Sequence, residues 1–257
     1  MVSKCRNRER SCCLPWNRIF FLALCHVIFL SVEAFSFQIP ETLVYDLTWT
    51  GLKVGEAALE INDGEREVNI LSRAKSAKWV SVFYTVNDRA ESRLLKDNAN
   101  RTIGQPVVYK LNLREGKRKK NREVNFNHAA SKAVYIDHPN NERAEVAIPS
   151  VIFDPLSSFY YLRTMNLEVG KSVHVTIFDS KKVWNVEVQV LRREQIKVPA
   201  GGFNTIVIKP LMKSEGIFHR KGDVYIWLTD DEKRIPVMLK TKVKIGSVTA
   251  ALADGKF

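Results

Sequence analysis

From Trp184 to Val190 the chain reads Trp-Asn-Val-Glu-Val-Gln-Val, apolar at every even position and polar at every odd one. A strict period of two suits a strand with one buried face and one wet face, and no helix satisfies it. The same alternation recurs. Val173, Val175 and Ile177 interleave with Ser172, His174 and Thr176, and Ala57, Leu59 and Ile61 with Ala58, Glu60 and Asn62. Val237, Leu239, Thr241, Val243 and Ile245 interleave with Met238, Lys240, Lys242 and Lys244. Turn residues separate these runs at Gly51 to Gly55, Asp63-Gly64, Glu115-Gly116, Pro139-Asn140-Asn141, Ser180-Lys181, Gly201-Gly202, Lys221-Gly222-Asp223 and Asp230-Asp231. One-faced strands joined by short turns form antiparallel sheet. The expected class is all-β and mainly antiparallel: a curled sheet, open barrel or sandwich, with one or two short helices. Tyr225 and Trp227 alternate with Val224, Ile226 and Leu228, so that strand is apolar on both faces and is either central or lines an interior.

Two segments break the period. Asp154 to Arg163 reads as a helix, with Asp154 as N-cap and Pro155 at the first helical position. Its stripe is Leu156, Phe159, Tyr160 and Arg163. Ala77 to Tyr84 reads as a shorter helix before a strand from Thr85 to Leu95.

Residues 1–34 differ from the rest. Lys4, Arg6, Arg8, Arg10 and Arg18 make a basic start, an apolar run spans Ile19 to Val32, and Val32-Glu33-Ala34 supplies small residues at its exit. That order describes a secretory signal peptide cut after Ala34, in a run shorter than the ~20 apolar residues of a spanning helix. An uncleaved anchor is the alternative. Residues 35–257 are then a single β-rich domain. All four cysteines (Cys5, Cys12, Cys13 and Cys25) fall in the leader, which excludes a disulfide framework or a cysteine nucleophile beyond it. A cysteine-free exported domain suits a bacterial periplasm. The net charge is +12, and removing the leader's five basic and two acidic residues leaves +9. Such a balance is either that of a protein lying close to anionic headgroups or acidic glycans of the envelope, or that of a soluble domain with scattered lysines. Export argues against nucleic acid.

Several segments, in order, resemble the domain of unknown function 3108, a family of exported bacterial proteins. They are Leu43 to Trp49 with Gly51 and Gly55, Val86 to Ser92, Leu113 to Lys117, Asp154 to Ser157 and Val198 to Gly201. Leu228 to Asp231, Arg234 to Val237, and Gly246-Ser247 complete the set. The resemblance implies an exported, mainly antiparallel β domain curled around a core or cavity. It implies no reaction.

Catalytic patterns are sparse. There is no Gly-x-Ser-x-Gly, and His128, His138, His174 and His219 show neither triad nor metal-ligand spacing. Asp88 and Glu91 point to opposite faces of a strand, and Asp230-Asp231 reads as a hairpin tip, so neither is a glycosidase pair. No cofactor and no metal are expected.

The candidate residues concern binding. Arg89, Glu91 and Arg93 share one strand face: either a charged row gripping an anionic headgroup inside a cavity, or a wet outer face. Trp79 and Tyr84, with Phe83, Phe159, Tyr160 and Trp227, read as core or as the lining of a lipid-carrying interior. Lys117, Arg118, Lys119, Lys120 and Arg122 form a basic hairpin, and Lys240, Lys242 and Lys244 a second basic row. Each is either a contact for an anionic surface or an edge guarded against aggregation. The expectation is a non-enzymatic periplasmic β domain that binds an apolar or amphipathic ligand such as a lipid or glycolipid. The alternative is an envelope scaffold that contacts partners or membrane through its basic strands.

Overall fold

A computed structural model describes residues 38–96, 103–211, 223–243 and 245–257. The expected signal peptide over residues 1–34, His219 and Lys244 lie outside the described residues. The described residues form fourteen strands. They are β1 (Glu41–Trp49), β2 (Leu52–Asp63), β3 (Glu67–Ser76), β4 (Asn87–Lys96), β5 (Ile103–Glu115), β6 (Arg118–Asn127) and β7 (Lys132–Asp137). Then follow β8 (Glu142–Ala147), β9 (Ser172–Asp179), β10 (Lys182–Val198), β11 (Gly201–Pro210), β12 (Val224–Thr229), β13 (Pro236–Lys242) and β14 (Ser247–Lys256). Two helices interrupt them, α1 (Lys78–Ser81) and α2 (Pro155–Arg163).

All fourteen strands form one antiparallel sheet in the order β8-β7-β6-β5-β4-β3-β2-β1-β14-β13-β12-β11-β10-β9. The fold is therefore all-β and antiparallel, as the alternation requires. The sheet does not close through its backbone, and β8 and β9 remain its edges. It curls until the two edges approach. The Lys181 Nζ beyond β9 lies 2.6 Å from the Glu142 carboxylate of β8. The Phe126 ring of β6 meets Phe178 of β9 edge-on at 5.9 Å. Between the edges runs the connection from β8 to α2, where Phe153 hydrogen-bonds Thr176 and Phe178 along the edge of β9.

The register identifies the concave face. Leu43, Leu59, Ile61, Ile70, Ser92, Tyr109, Val124 and Tyr135 follow one another on it across neighbouring strands. In the second wing it carries Val186, Val188, Ile208, Ile226 and Leu239. β10 runs on past the predicted Trp184–Val190 segment to Val198, and a bulge at Val190–Arg192 resets its alternation. β12 is buried on both faces at Ile226, Trp227 and Leu228, as its composition implied.

The α2 helix sits against the concave face. The Asp154 Oδ1 accepts from the backbone N–H groups of Leu156 and Ser157 at 2.8 and 3.0 Å, and the Ser157 hydroxyl completes a capping box. Asp154 Oδ2 also accepts from Ser92 Oγ of β4 at 2.6 Å, which ties the helix start to the sheet. The predicted one-sided stripe proves too narrow. Tyr160 joins one apolar cluster, Leu162 a second, and Leu156 packs on a third, because sheet surrounds the helix.

The α1 helix is a single turn within the predicted Ala77–Tyr84 segment. Here the structure corrects the expectation. Trp79 and Tyr84 are half exposed and Phe83 is 87% exposed, so none of them is core. One turn is too short to present an apolar stripe to the sheet.

Candidate functional site

Between α2 and the two wings of the sheet lies a cavity of about 340 Å³. Tyr45, Ala57, Leu59 and Ser72 of β1 to β3 form one wall. Val175, Ile177, Trp184, Val186 and Val188 of β9 and β10 form the facing wall, joined by Val224, Ile226, Leu239 and Ala250. The floor is Pro155, Leu156, Phe159 and Leu162 of α2. The cavity arises because the inner face carries small residues where the helix does not reach it. Ala57, Ser72 and Ala250 lie on the concave face yet are only partly buried. The volume falls within the ~300–1,000 Å³ typical of ligand pockets.

The lining is almost wholly aliphatic and aromatic. Its polar members are few. Ser158 donates its hydroxyl to the Pro155 carbonyl at 3.0 Å. Tyr45 donates to the Pro236 carbonyl at 2.7 Å, and burial pushes its phenol far above the ordinary value. Asp179 is the carboxylate in the wall, and it accepts from Ser180 Oγ at 3.0 Å.

Odd-numbered strands all end, and even-numbered strands all begin, at one end of this antiparallel meander. Asp179, Trp184, Pro210 and Val224 of the lining lie at strand termini there, so the cavity reaches this end, its mouth end. Lys120 and Arg122 face inward beside it. Burial, then the positive charges of Arg122 and Arg118, lower the Lys120 ammonium to about 8. Arg122 bonds Asp137 at 3.2 Å and Ser180 at 3.3 Å, and its guanidinium stacks 5.7 Å from the centre of the Tyr135 ring. Burial pushes Asp137 up, but hydrogen bonds from Asn140 and Arg122 outweigh it and leave the carboxyl below its ordinary value.

The opposite end is sealed. Arg163, at the last turn of α2, forms a two-pronged pair with Glu41 of β1 at 2.7 Å in each bond. Both side chains are 1% exposed or less. A third bond, at 3.0 Å, reaches the Lys233 carbonyl in the turn before β13. The Tyr160 ring lies 5.1 Å from the guanidinium. Sequence reading placed Arg163 on the helix stripe but did not find its partner. Glu41 opens a strand 122 residues earlier, and nothing local signals the pairing.

The structure does not bring the predicted ligand-binding residues into this cavity. Arg89, Glu91 and Arg93 stand on the convex face of β4, because Ala90, Ser92 and Leu94 take the concave one. Arg89 pairs with Glu91 at 3.0 Å and Arg93 with Glu67 at 3.2 Å, so the row is a wet outer face. Trp79, in α1, and Tyr84, just after it, are half exposed and lie outside the cavity. The basic hairpin divides. Lys117, Arg118 and Lys119 are surface residues, whereas Lys120 and Arg122 turn to the concave side and are partly buried. Lys240 and Lys242 are exposed on β13. Among the described residues no three His, Cys, Asp or Glu side chains are grouped to hold a metal ion. Nor is any helix there long and apolar enough to cross a membrane.

The sequence profile of DUF3108, proteins of unknown function, matches residues 44–253. Among curated proteins none matches the sequence. The fold is similar to a β-barrel-like protein of the DUF1849 family from Brucella abortus, with a TM-score of 0.56 at 13% identity. That match covers 86% of this chain and 98% of the other. A weaker likeness, TM-score 0.33 at 11% identity, links 87% of the chain to 99% of a Bacteroides fragilis protein. That protein is described as a candidate exported protein with a YmcC-like fold.

Proposed function

Because the chain belongs to the DUF3108 family, which brings no known reaction with it, we propose a role from the cavity itself: binding an apolar or amphipathic envelope molecule inside the curled sheet. The apolar cavity of about 340 Å³ carries this reading. At about 30 Å³ per water molecule it would hold on the order of ten waters, against walls that offer them few partners. An alkyl or aromatic moiety is the occupant that such walls favour, at roughly 25 cal/mol per Å² of apolar surface removed from water.

The polar groups at the mouth suit an amphipathic molecule. Lys120, Arg122 and Asp179 could meet a headgroup while the chain lies against Phe159, Ile226 and Ala250. This reading is of a binding protein rather than an enzyme. The lining has a single carboxylate, Asp179, and no histidine to partner it in proton transfer. The basic start and short apolar run of the leader support export, with the periplasm as the compartment of action.

Native mass spectrometry of the protein recovered from its own cell envelope, followed by solvent extraction, tests the reading. A co-purifying lipid-like adduct is expected. The Ala250→Phe variant, which fills the cavity from β14, should lose that adduct while keeping its β-sheet circular dichroism. A protein that emerges empty and ignores envelope lipids would overturn the proposal.

A further inference from the structure

At the mouth end three of the described turns leave apolar residues in solvent. Ile245, between β13 and β14, is 74% exposed. Val82 and Phe83, after α1, are 77% and 87% exposed, and Leu52 and Trp79 are about half exposed. These belong to three different turns that the structure links. Trp49 donates its indole N–H to the Ile245 carbonyl at 2.8 Å. The Ala77 N–H at the start of α1 bonds the Val54 carbonyl of β2 at 2.8 Å. Tyr84 then lies over the β5–β6 turn, so close that a Cβ at Gly116 would stand 2.7 Å from its ring. The result is one rim of projecting apolar tips, running from Ile245 past Trp49 and α1 to Tyr84.

Cations flank this rim. Lys117, Arg118 and Lys119 follow the Tyr84 contact directly, Lys78 lies in α1, and Lys242 precedes Ile245. The described carboxylates nearest the rim are already engaged, and Asp88, beside Tyr84, accepts from the Arg114 N–H at 2.9 Å. Glu115 pairs with Arg118 at 3.3 Å, and Glu56 with Lys53 at 3.0 Å. Among the described residues no ion pair engages Lys117, Lys119 or Lys78, which remain as surplus positive charge.

We propose that this rim docks the protein on the surface of an anionic lipid bilayer, with the cavity mouth facing the membrane. Isolated, strongly projecting tips on separate turns suit insertion among lipid chains better than they suit a flat protein interface. Trp49, Trp79 and Tyr84 combine an apolar ring with a polar edge, the character that favours the membrane–water boundary. Lysines and arginines beside such tips draw the surface toward anionic headgroups, an attraction that salt weakens. The docking surface stands independently of any cavity ligand.

Vesicle flotation of the protein recovered from cells tests it, with the same N-terminal segment kept in every variant. Vesicles of phosphatidylglycerol mixed with phosphatidylcholine should carry the wild type upward, and phosphatidylcholine alone should carry at least tenfold less. Val82→Ser with Phe83→Ser should weaken flotation at least tenfold, as should Lys117→Glu with Lys119→Glu. Quenching by brominated lipid should report Trp79 and Trp49, a signal that Trp79→Phe halves. Equal flotation of all variants would assign the contact to another segment and overturn the proposal. So would a wild type that ignores vesicles but cross-links to one envelope protein through the rim. Ala250→Phe separates the two readings. It should float normally without its adduct, so loss of flotation and loss of ligand fail independently.

Discussion

The two ends of the curled sheet solve opposite problems. At one end α2 finishes in a fully desolvated ion pair, with Arg163 held by Glu41 and by the Lys233 carbonyl. Every bond there joins elements far apart in the chain, so that end locks the helix to β1 and to the β12–β13 turn. At the other end the turns leave Phe83, Val82 and Ile245 in solvent, and the helix start leaves a cavity. Buried polar bonding between distant elements is concentrated where the molecule is closed. Exposed apolar surface is concentrated where it is open. A chain selected only to fold would have no reason to keep the second arrangement.

The comparison can be broken most sharply at the closed end. Arg163→Ala should cost about 3–5 kcal/mol in chemical denaturation, because it strands the Glu41 carboxylate in the interior. The paired change Glu41→Met with Arg163→Met should recover most of that loss. If the single change costs no more than a surface mutation, the sealed end is not the anchor.

A smaller effect is expected at the helix start. Burial raises the Asp154 carboxyl, although hydrogen bonds from Ser157 and Ser92 oppose it. A raised folded value means that this group's contribution is fully present below the unfolded value and is lost as pH rises through the folded one. The wild type minus Asp154→Asn stability difference should therefore fall as pH rises through the acid range. Denaturation at several acid pH values measures it.

Lys120 at the mouth should act at the alkaline side. Its value is lowered to about 8, so its penalty is present at neutral pH and is relieved as pH rises from about 8 toward 10.5. Lys120→Met should remove that alkaline rise, and a rise unchanged in the variant would assign it to another group. The smallest expected stability effect is at the rim. Val82→Ser and Phe83→Ser should each change unfolding by only about 0.5 kcal/mol or less, since neither is buried. A larger loss would mean that these residues serve the fold and not the surface.

Much of the fold was legible because alternation is a local signal. Trp184 to Val190 needed no partner to declare a strand with one wet face. Asp154 and Pro155 marked the helix start by chemistry confined to four residues. The family resemblance also agreed with the match over residues 44–253. The site was less legible because it depends on which faces curl inward. Arg89, Glu91 and Arg93 alternate as correctly as any inner row, and only the burial of Ser92 and Leu94 assigns the other face to the interior. Trp79 and Phe83 looked like core because aromatic residues usually are, yet a single helical turn gave them nothing to pack against. The cavity walls are ordinary apolar strand residues, and Ala57 and Ala250 mark a void only once α2 is placed opposite them.

The route of the chain through the sheet has a consequence for how the molecule is made. Strands β1 to β8 are laid outward to one edge, α2 crosses the interior, and β9 to β14 are laid inward from the other edge until β14 pairs with β1. The central seam of the sheet is thus formed by the first and last described strands. During synthesis the first wing must wait with β1 unpaired along one side, a free edge open to the wrong neighbour. Completion waits for β14, so that strand acts as the clasp that joins two half-sheets into one.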